Sequence, residues 1–264
     1  MTLALHALHA VTSRLDPASL HDTVAIAGLQ TRFDRKYILT PRAFHQLLLD
    51  LHDRMEVLEI GNARCFRYES VYFDTEDLAS YYASVRERRR RFKVRTRAYL
   101  DTDQCALEVK TTGNRGQTTK ERVEYPFELR GCLTDEALVF VGDRIPGLDR
   151  GQTLAPVLTT RYRRATLVDR RAGSRVTCDA DLECIAPDGA CVMLDGFLLV
   201  ETKSTGSPTI ADRLLWSAGQ RPVTISKFGV GMAALNPRLP AHKWNRTLRR
   251  YFDWTPQRCD GASQ

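Results

Sequence analysis

Along residues 92–98, FKVRTRA, basic and non-basic side chains alternate without a break. Successive side chains of a β-strand point to opposite faces. Lys93, Arg95 and Arg97 therefore share one face, and Phe92, Val94, Thr96 and Ala98 the other. The pattern recurs along the chain. In ALEVK at 106–110, Glu108 and Lys110 lie opposite Leu107 and Val109. In TKERVEY at 119–125, Lys120, Arg122 and Glu124 lie together. Arg175, Thr177 and Asp179 lie opposite Val176 and Cys178. Glu201 and Lys203 repeat the Glu-x-Lys of 108–110, and Arg32, Asp34 and Lys36 open the series.

One such strand is an antiparallel sheet with a wet face. Six strands whose common face is dominated by Arg and Lys ask for more. Residues 86–97 alone hold eight basic side chains and one acid, Glu87. Two like charges 4 Å apart repel by about 4 kcal/mol at an effective dielectric near 20. Converging cations are thus destabilising unless an anion lies between them. A chain of phosphates supplies close-spaced charge and many acceptor oxygens for guanidinium forks and ammonium points. The predicted fold is α+β: an eight-stranded antiparallel β-barrel, a tunnel lined by these cations, with helices packed around it. Glu108 and Glu201 among the cations are read as salt-bridge partners or as carboxylates holding Mg²⁺ or Mn²⁺ against phosphate oxygens. The metal reading is preferred for Glu201.

The net charge of +7 fits an anionic partner without naming it. No stretch approaches the roughly 20 apolar residues needed to span a bilayer. The start, MTLALHALHAVTSRLD, lacks signal-peptide features and reads as a short amphipathic helix. Seven cysteines, none in Cys-x-x-Cys spacing, argue against a disulfide framework or zinc site and for a reducing cytoplasm. Each is read as a small core residue. No histidine lies between 53 and 241, which leaves imidazole catalysis there without its residue.

The 264 residues read as a single domain with helical ends. Helices are predicted over 2–15, from Thr40-Pro41, after Asp74-Thr75, near 134–142, from Ser207-Pro208 and over about 239–252. Strands are predicted over 30–39, 55–60, 66–73, 90–100, 104–111, 119–128, 155–168, 174–180 and 192–203, with Lys227 ending a short extended piece. Few long crossovers separate the strands, which argues against a doubly wound α/β fold. GNRGQTTK at 113–120 fails the Walker A pattern, because Gln117-Thr118 follows Gly116, and reads as a hairpin loop. RERRRR at 86–91 fits a solvated turn beside the tunnel mouth as well as it fits a nucleic-acid patch.

The segments RFDRKYIL (32–39), ESVYFDTEDLASYY (69–82), RFKVRTRAYL (91–100), LEVK (107–110), KERVEY (120–125), PVLTTRYRRATL (156–167), RVTCDADL (175–182), LLVETKSTG (198–206) and SKFGVGM (226–232) carry a family resemblance. In this order they resemble the polyphosphate polymerase domain of the vacuolar transporter chaperone (VTC) family, within the CYTH-like triphosphate tunnel metalloenzymes. The resemblance implies a metal-dependent enzyme that moves the γ-phosphoryl of ATP onto a growing polyphosphate. It implies that Lys36, Arg95, Arg97, Lys110, Lys120, Arg164, Arg175, Lys203 and Lys227 line the phosphate path, with Lys93 added. Lys36, Arg95, Arg97 and Lys227 are the catalytic candidates and Glu201 the metal ligand. A register slip would put Arg163 in place of Arg164. The Glu-x-Glu-x-Lys of the wider superfamily is replaced here by RFDRK, which suits the polymerase branch over a plain triphosphatase. No phosphate-sensing domain or membrane anchor is expected in this chain, so coupling to translocation would take a membrane-protein partner in trans. The expected ligands are ATP and polyphosphate, with Mn²⁺ or Mg²⁺ as cofactor, and nucleic acid is not expected. Hydrolysis of triphosphates, and metal-free binding of polyphosphate or nucleic acid, are the competing readings.

Overall fold

The computed structural model describes residues 1–27, 33–113, 117–148 and 153–255. From the N-terminus it contains α1 (Leu3–Thr12), β1 (Asp16–Ala18), α2 (Leu20–Ala27), β2 (Phe33–Leu39), α3 (Pro41–Leu51) and β3 (Glu56–Leu58). Next come β4 (Phe66–Thr75), α4 (Ala79–Val85), β5 (Arg91–Tyr99), β6 (Gln104–Thr112), β7 (Thr118–Glu124) and α5 (Asp135–Gly142). The remainder is β8 (Leu154–Asp169), β9 (Ser174–Ile185), β10 (Cys191–Met193), β11 (Leu198–Ser204), α6 (Ile210–Ser217), α7 (Lys227–Leu235), a 3₁₀ turn (His242–Trp244) and α8 (Asn245–Tyr251).

This is an α+β chain with a large, mainly antiparallel sheet. Eight strands form its main path, in the order β2-β11-β9-β8-β4-β5-β6-β7, and β1, β3 and β10 pair off it. The end strands β2 and β7 are joined by no ladder among the described residues. The sheet is therefore not closed into the expected barrel by hydrogen bonds. β7 pairs with β6 alone, and all seven of its residues are exposed.

The chain forms two compact units. The first comprises Met1–Arg67, Tyr162–Leu182 and Leu194–Thr224. Its core packs α1, α3 and α6 against one face of β2, β11, β9 and β8 through residues such as Tyr37, Leu39, Leu48, Leu167, Val176 and Val200. The predicted start of α3 holds: Thr40 Oγ1 accepts from the Ala43 amide at 3.2 Å, and Phe44, Leu47, Leu48 and Leu51 are buried. α6 starts at Ile210, not at Ser207-Pro208, because Thr209 and Asp212 form its capping box. The buried Asp212 carboxylate also accepts from Tyr37 Oη and Thr202 Oγ1, both at 2.7 Å. That contact fastens the helix to β2 and β11.

The second unit comprises Tyr68–Arg161, Glu183–Met193 and Ile225–Gln264. Val71, Phe73, Val94, Leu107 and Val109 form its sheet face, against Ala137 and Val141 of α5. The N-cap residue of α4 is Leu78, not Asp74 or Thr75, but Asp74 still accepts from the first-turn amides of Ser80 and Tyr81 at 2.8 and 2.9 Å. α7 begins at Lys227, where only the end of an extended piece was expected. Its two glycines make room for neighbours. A Cβ on Gly229 would lie 2.2 Å from Trp244 Cη2, and one on Gly231 2.9 Å from Cys184 Sγ. The 192–203 strand divides into β10 and β11. Cys105, Cys178 and Cys184 are buried as expected, whereas Cys132 and Cys191 are exposed.

Candidate functional site

The sheet carries polar side chains opposite its core. In the first unit, strand alternation turns Lys36 of β2, Glu201 and Lys203 of β11, Arg175, Thr177 and Asp179 of β9, and Arg164 of β8 away from the apolar layer. The ladders set them side by side: Glu201 is opposite both Lys36 and Thr177, and Lys203 is opposite both Asp34 and Arg175. Glu201 Oε1 lies 2.9 Å from Lys203 Nζ and 3.3 Å from Lys36 Nζ. Lys203 also approaches Asp34 Oδ2 at 3.5 Å. Arg164 grips the buried Asp179 with both arms, Nε at 2.6 Å and Nη2 at 2.8 Å. Burial alone would raise the Glu201 carboxyl. The charges of Lys203, Lys36 and Arg164 outweigh it and hold Glu201 well below the usual carboxylate range.

Of Tyr162-Arg163-Arg164, it is Arg164 that lies on the polar face. Arg164 bonds Asp179 on the polar face, while Arg163 has the parity of the core residues Ala165 and Leu167. Arg32, expected beside Asp34, lies outside the described residues.

The second unit carries three transverse rows on β4–β7. Lys93, Lys110 and Lys120 form one, each opposite the next. Tyr72, Arg95, Glu108 and Arg122 form the second, and Ser70, Arg97, Ala106 and Glu124 the third. Glu108 is 3% exposed. Arg95 holds its Oε2 through Nε at 2.7 Å and Nη2 at 2.6 Å, and Lys120 holds its Oε1 at 2.6 Å. Arg97 Nη2 stands 3.7 Å from Oε2. Burial would raise the Glu108 carboxyl, but Arg95 and Lys120 bring it below its ordinary value.

Two residues that sequence reasoning passed over join this group. Tyr72 Oη accepts from Arg95 Nη1 at 3.1 Å. Ser226, the N-cap of α7, accepts from Lys93 Nζ at 2.9 Å. Tyr72 was findable, since it shares the parity of Ser70 and lies in the YFD segment. Ser226 was hidden by the missed helix. Lys227 is the first residue of α7, not the end of a strand. It sits close enough to Cys184 to oppose the burial that pushes that thiol up to about 12.

All twelve candidate residues thus lie on described elements, five in the first unit and seven in the second. Among the described residues no three His, Cys, Asp or Glu side chains converge as a metal cage. No described helix is long and apolar enough to cross a membrane.

Comparison with known proteins gives a family-model match to the VTC domain over residues 31–236. No curated protein matches the chain. Among solved structures, HpAC1 of Hippeastrum, described as having a dominant triphosphatase activity, is similar at 19% identity and a TM-score of 0.47, covering 77% of this chain and 96% of its own. A conserved hypothetical protein of Pyrococcus furiosus is similar at 16% identity and a TM-score of 0.37, covering 72% of this chain and 88% of its own.

Proposed function

Because the chain belongs to the VTC-domain family, we propose that its cationic sheet face binds condensed phosphate and transfers the γ-phosphoryl of ATP to a growing polyphosphate. The observation that carries this reading is the row Lys93–Lys110–Lys120, three lysines in direct register on β5, β6 and β7, of which Lys120 also pairs with Glu108. Cations held in register in this way favour a polyanion whose charges are closely spaced.

Phosphoryl transfer needs positioning and charge neutralisation more than covalent chemistry from the protein. In the second unit Lys93, Arg95, Arg97, Lys110, Lys120 and Lys227 would hold non-bridging oxygens and offset charge spreading over a transferred group, and in the first unit Lys36, Lys203, Arg164 and Arg175 would hold phosphate oxygens in the same way. The nucleophile is the terminal oxygen of the acceptor chain, so no side-chain base is required. This agrees with the lack of histidine between 53 and 241.

The two glutamates differ as metal ligands. Glu108 has both oxygens engaged by Arg95 and Lys120. Glu201 spends only Oε1 on Lys36 and Lys203. Its Oε2 suits Mg²⁺ or Mn²⁺, which commonly take one or two carboxylates with the rest of the shell from water and substrate phosphates. A cation bound there would neutralise phosphate charge.

Incubation with ATP and Mn²⁺, followed by gel separation of the products, tests the reading. Long-chain phosphate is expected, and Lys36→Ala should cut its yield at least tenfold. Free phosphate without polymer would assign a triphosphatase instead, and metal-free binding without turnover a carrier.

A further inference from the structure

The third row of the second unit contains an oddity that the ion pairs do not explain. Ser70 is 1% exposed and Thr160 0%. Ser70 Oγ, Thr160 Oγ1 and Arg97 Nε are buried and have no hydrogen-bond partner among the described residues. Buried polar groups without partners are rare in native proteins and costly to keep. These three lie on strands that neighbour one another in the sheet, β8, β4 and β5. Ser70 is directly opposite Arg97. On the other side of the sheet, Arg161 Nε donates to Glu69 Oε2 at 2.8 Å, which ties β8 to its neighbour β4. The adjacent residues Thr160 and Ser70 therefore both turn to the cationic face.

The rows also differ in charge. They are about 6.8 Å apart, two residues of strand rise. The first has three lysines, the second two arginines and Glu108, and the third Arg97 and Glu124 with the Ser70 hydroxyl, while Thr160 stands on the adjoining β8. A terminal phosphoryl group, with a second pKa near 6, carries close to two charges at neutral pH. It is best matched by the lysine row. An internal phosphoryl unit carries one charge, which matches one guanidinium supplemented by neutral donors.

We propose that Ser70, Thr160 and Arg97 form a hydroxyl-and-guanidinium seat for an internal phosphoryl unit of a condensed-phosphate chain, whose more highly charged end lies toward Lys93, Lys110 and Lys120. The proposal rests on the reading that this face binds condensed phosphate. Each hydroxyl donates to a non-bridging oxygen, and Arg97 Nε donates to the same unit. The seat orients the chain along the strands. It makes Ser70 and Thr160 binding residues even though neither is charged.

The test uses Ser70→Ala and Thr160→Val in the full chain. Melting without ligand and calorimetric binding of long-chain polyphosphate and of orthophosphate are measured at one ionic strength. Because the hydroxyls bond nothing in the protein, the ligand-free variants should melt at or above the wild-type temperature. Each should bind polyphosphate about tenfold more weakly, as expected for a lost hydrogen bond to a charged group. Orthophosphate, which has no internal unit, should distinguish variant from wild type not at all. A drop of several degrees in ligand-free melting would overturn the seat, because the hydroxyls would then serve the fold. Unchanged polyphosphate affinity beside a binding wild type would overturn it too, leaving hydroxyls that only hold water. An equal loss for orthophosphate would overturn the assignment to an internal unit. A wild type that binds no polyphosphate would instead defeat the functional reading beneath it.

Discussion

Glu108 and Glu201 begin the same Glu-x-Lys pattern on two strands, yet they sit in opposite circumstances. Glu108 is 3% exposed, and each of its oxygens is taken by a cation from a neighbouring strand, Arg95 from β5 and Lys120 from β7. Glu201 is 17% exposed and pairs through one oxygen, with Lys203 of its own strand and Lys36 of β2. The first arrangement is closed and the second half-open. The same Glu-x-Lys spacing thus yields a structural knot in one unit and a candidate ligand in the other. The difference comes from what the adjacent strands bring: guanidinium and ammonium on both sides of Glu108, but the small, neutral Thr177 on one side of Glu201.

That contrast can be broken in order of size. Glu108→Ala should cost the most stability, about 3 kcal/mol, because it strips the buried partner from Arg95 and Lys120. Chemical denaturation reads it, and a loss below about 1 kcal/mol would remove the knot. Arg164→Ala should cost about 2–3 kcal/mol by leaving Asp179, 2% exposed, without its fork. Arg163→Ala should stay within about 0.5 kcal/mol. Equal effects from the two arginines would reverse the register assigned to β8. Glu201→Gln should be milder, about 1 kcal/mol, while abolishing most metal-dependent turnover. If it proves as damaging to stability as Glu108→Ala, the half-open description is wrong.

The smallest effect is in acid. Both carboxyls titrate lower in the folded protein than in the unfolded chain, where glutamate lies near 4.3. Their stabilisation is therefore complete above that value and is lost as pH falls through the depressed folded values. Glu201→Gln should flatten part of this acid limb and leave stability from pH 6 to 8 parallel to wild type. An unchanged acid limb would contradict the depressed carboxyl.

Period-2 alternation exposed the polar face directly, because a strand has only two sides and the core claims one. Capping chemistry marked α3 and α4 for the same local reason. α7 escaped because KFGVGMAAL carries two glycines, which disfavour a helix on propensity. They are tolerated because Trp244 and Cys184 occupy the space a side chain would need. The start of α6 was displaced because Asp212 selects Thr209 as the cap, a choice reinforced by Tyr37 and Thr202 on distant strands. Ser70 and Thr160 gave no signal at all. A hydroxyl in a strand is ordinary until its neighbours are known, and its lack of a partner is a property of three strands together.

The central claim is that the alternating cationic face holds a phosphate chain. Crystals soaked with tripolyphosphate and Mn²⁺ would test it most directly. The account predicts phosphate density against Lys93, Lys110 and Lys120, or against Lys36, Lys203 and Arg164, with a metal at Glu201 Oε2. Density confined to the exposed arginines at 88–90, with the sheet face untouched, would contradict it.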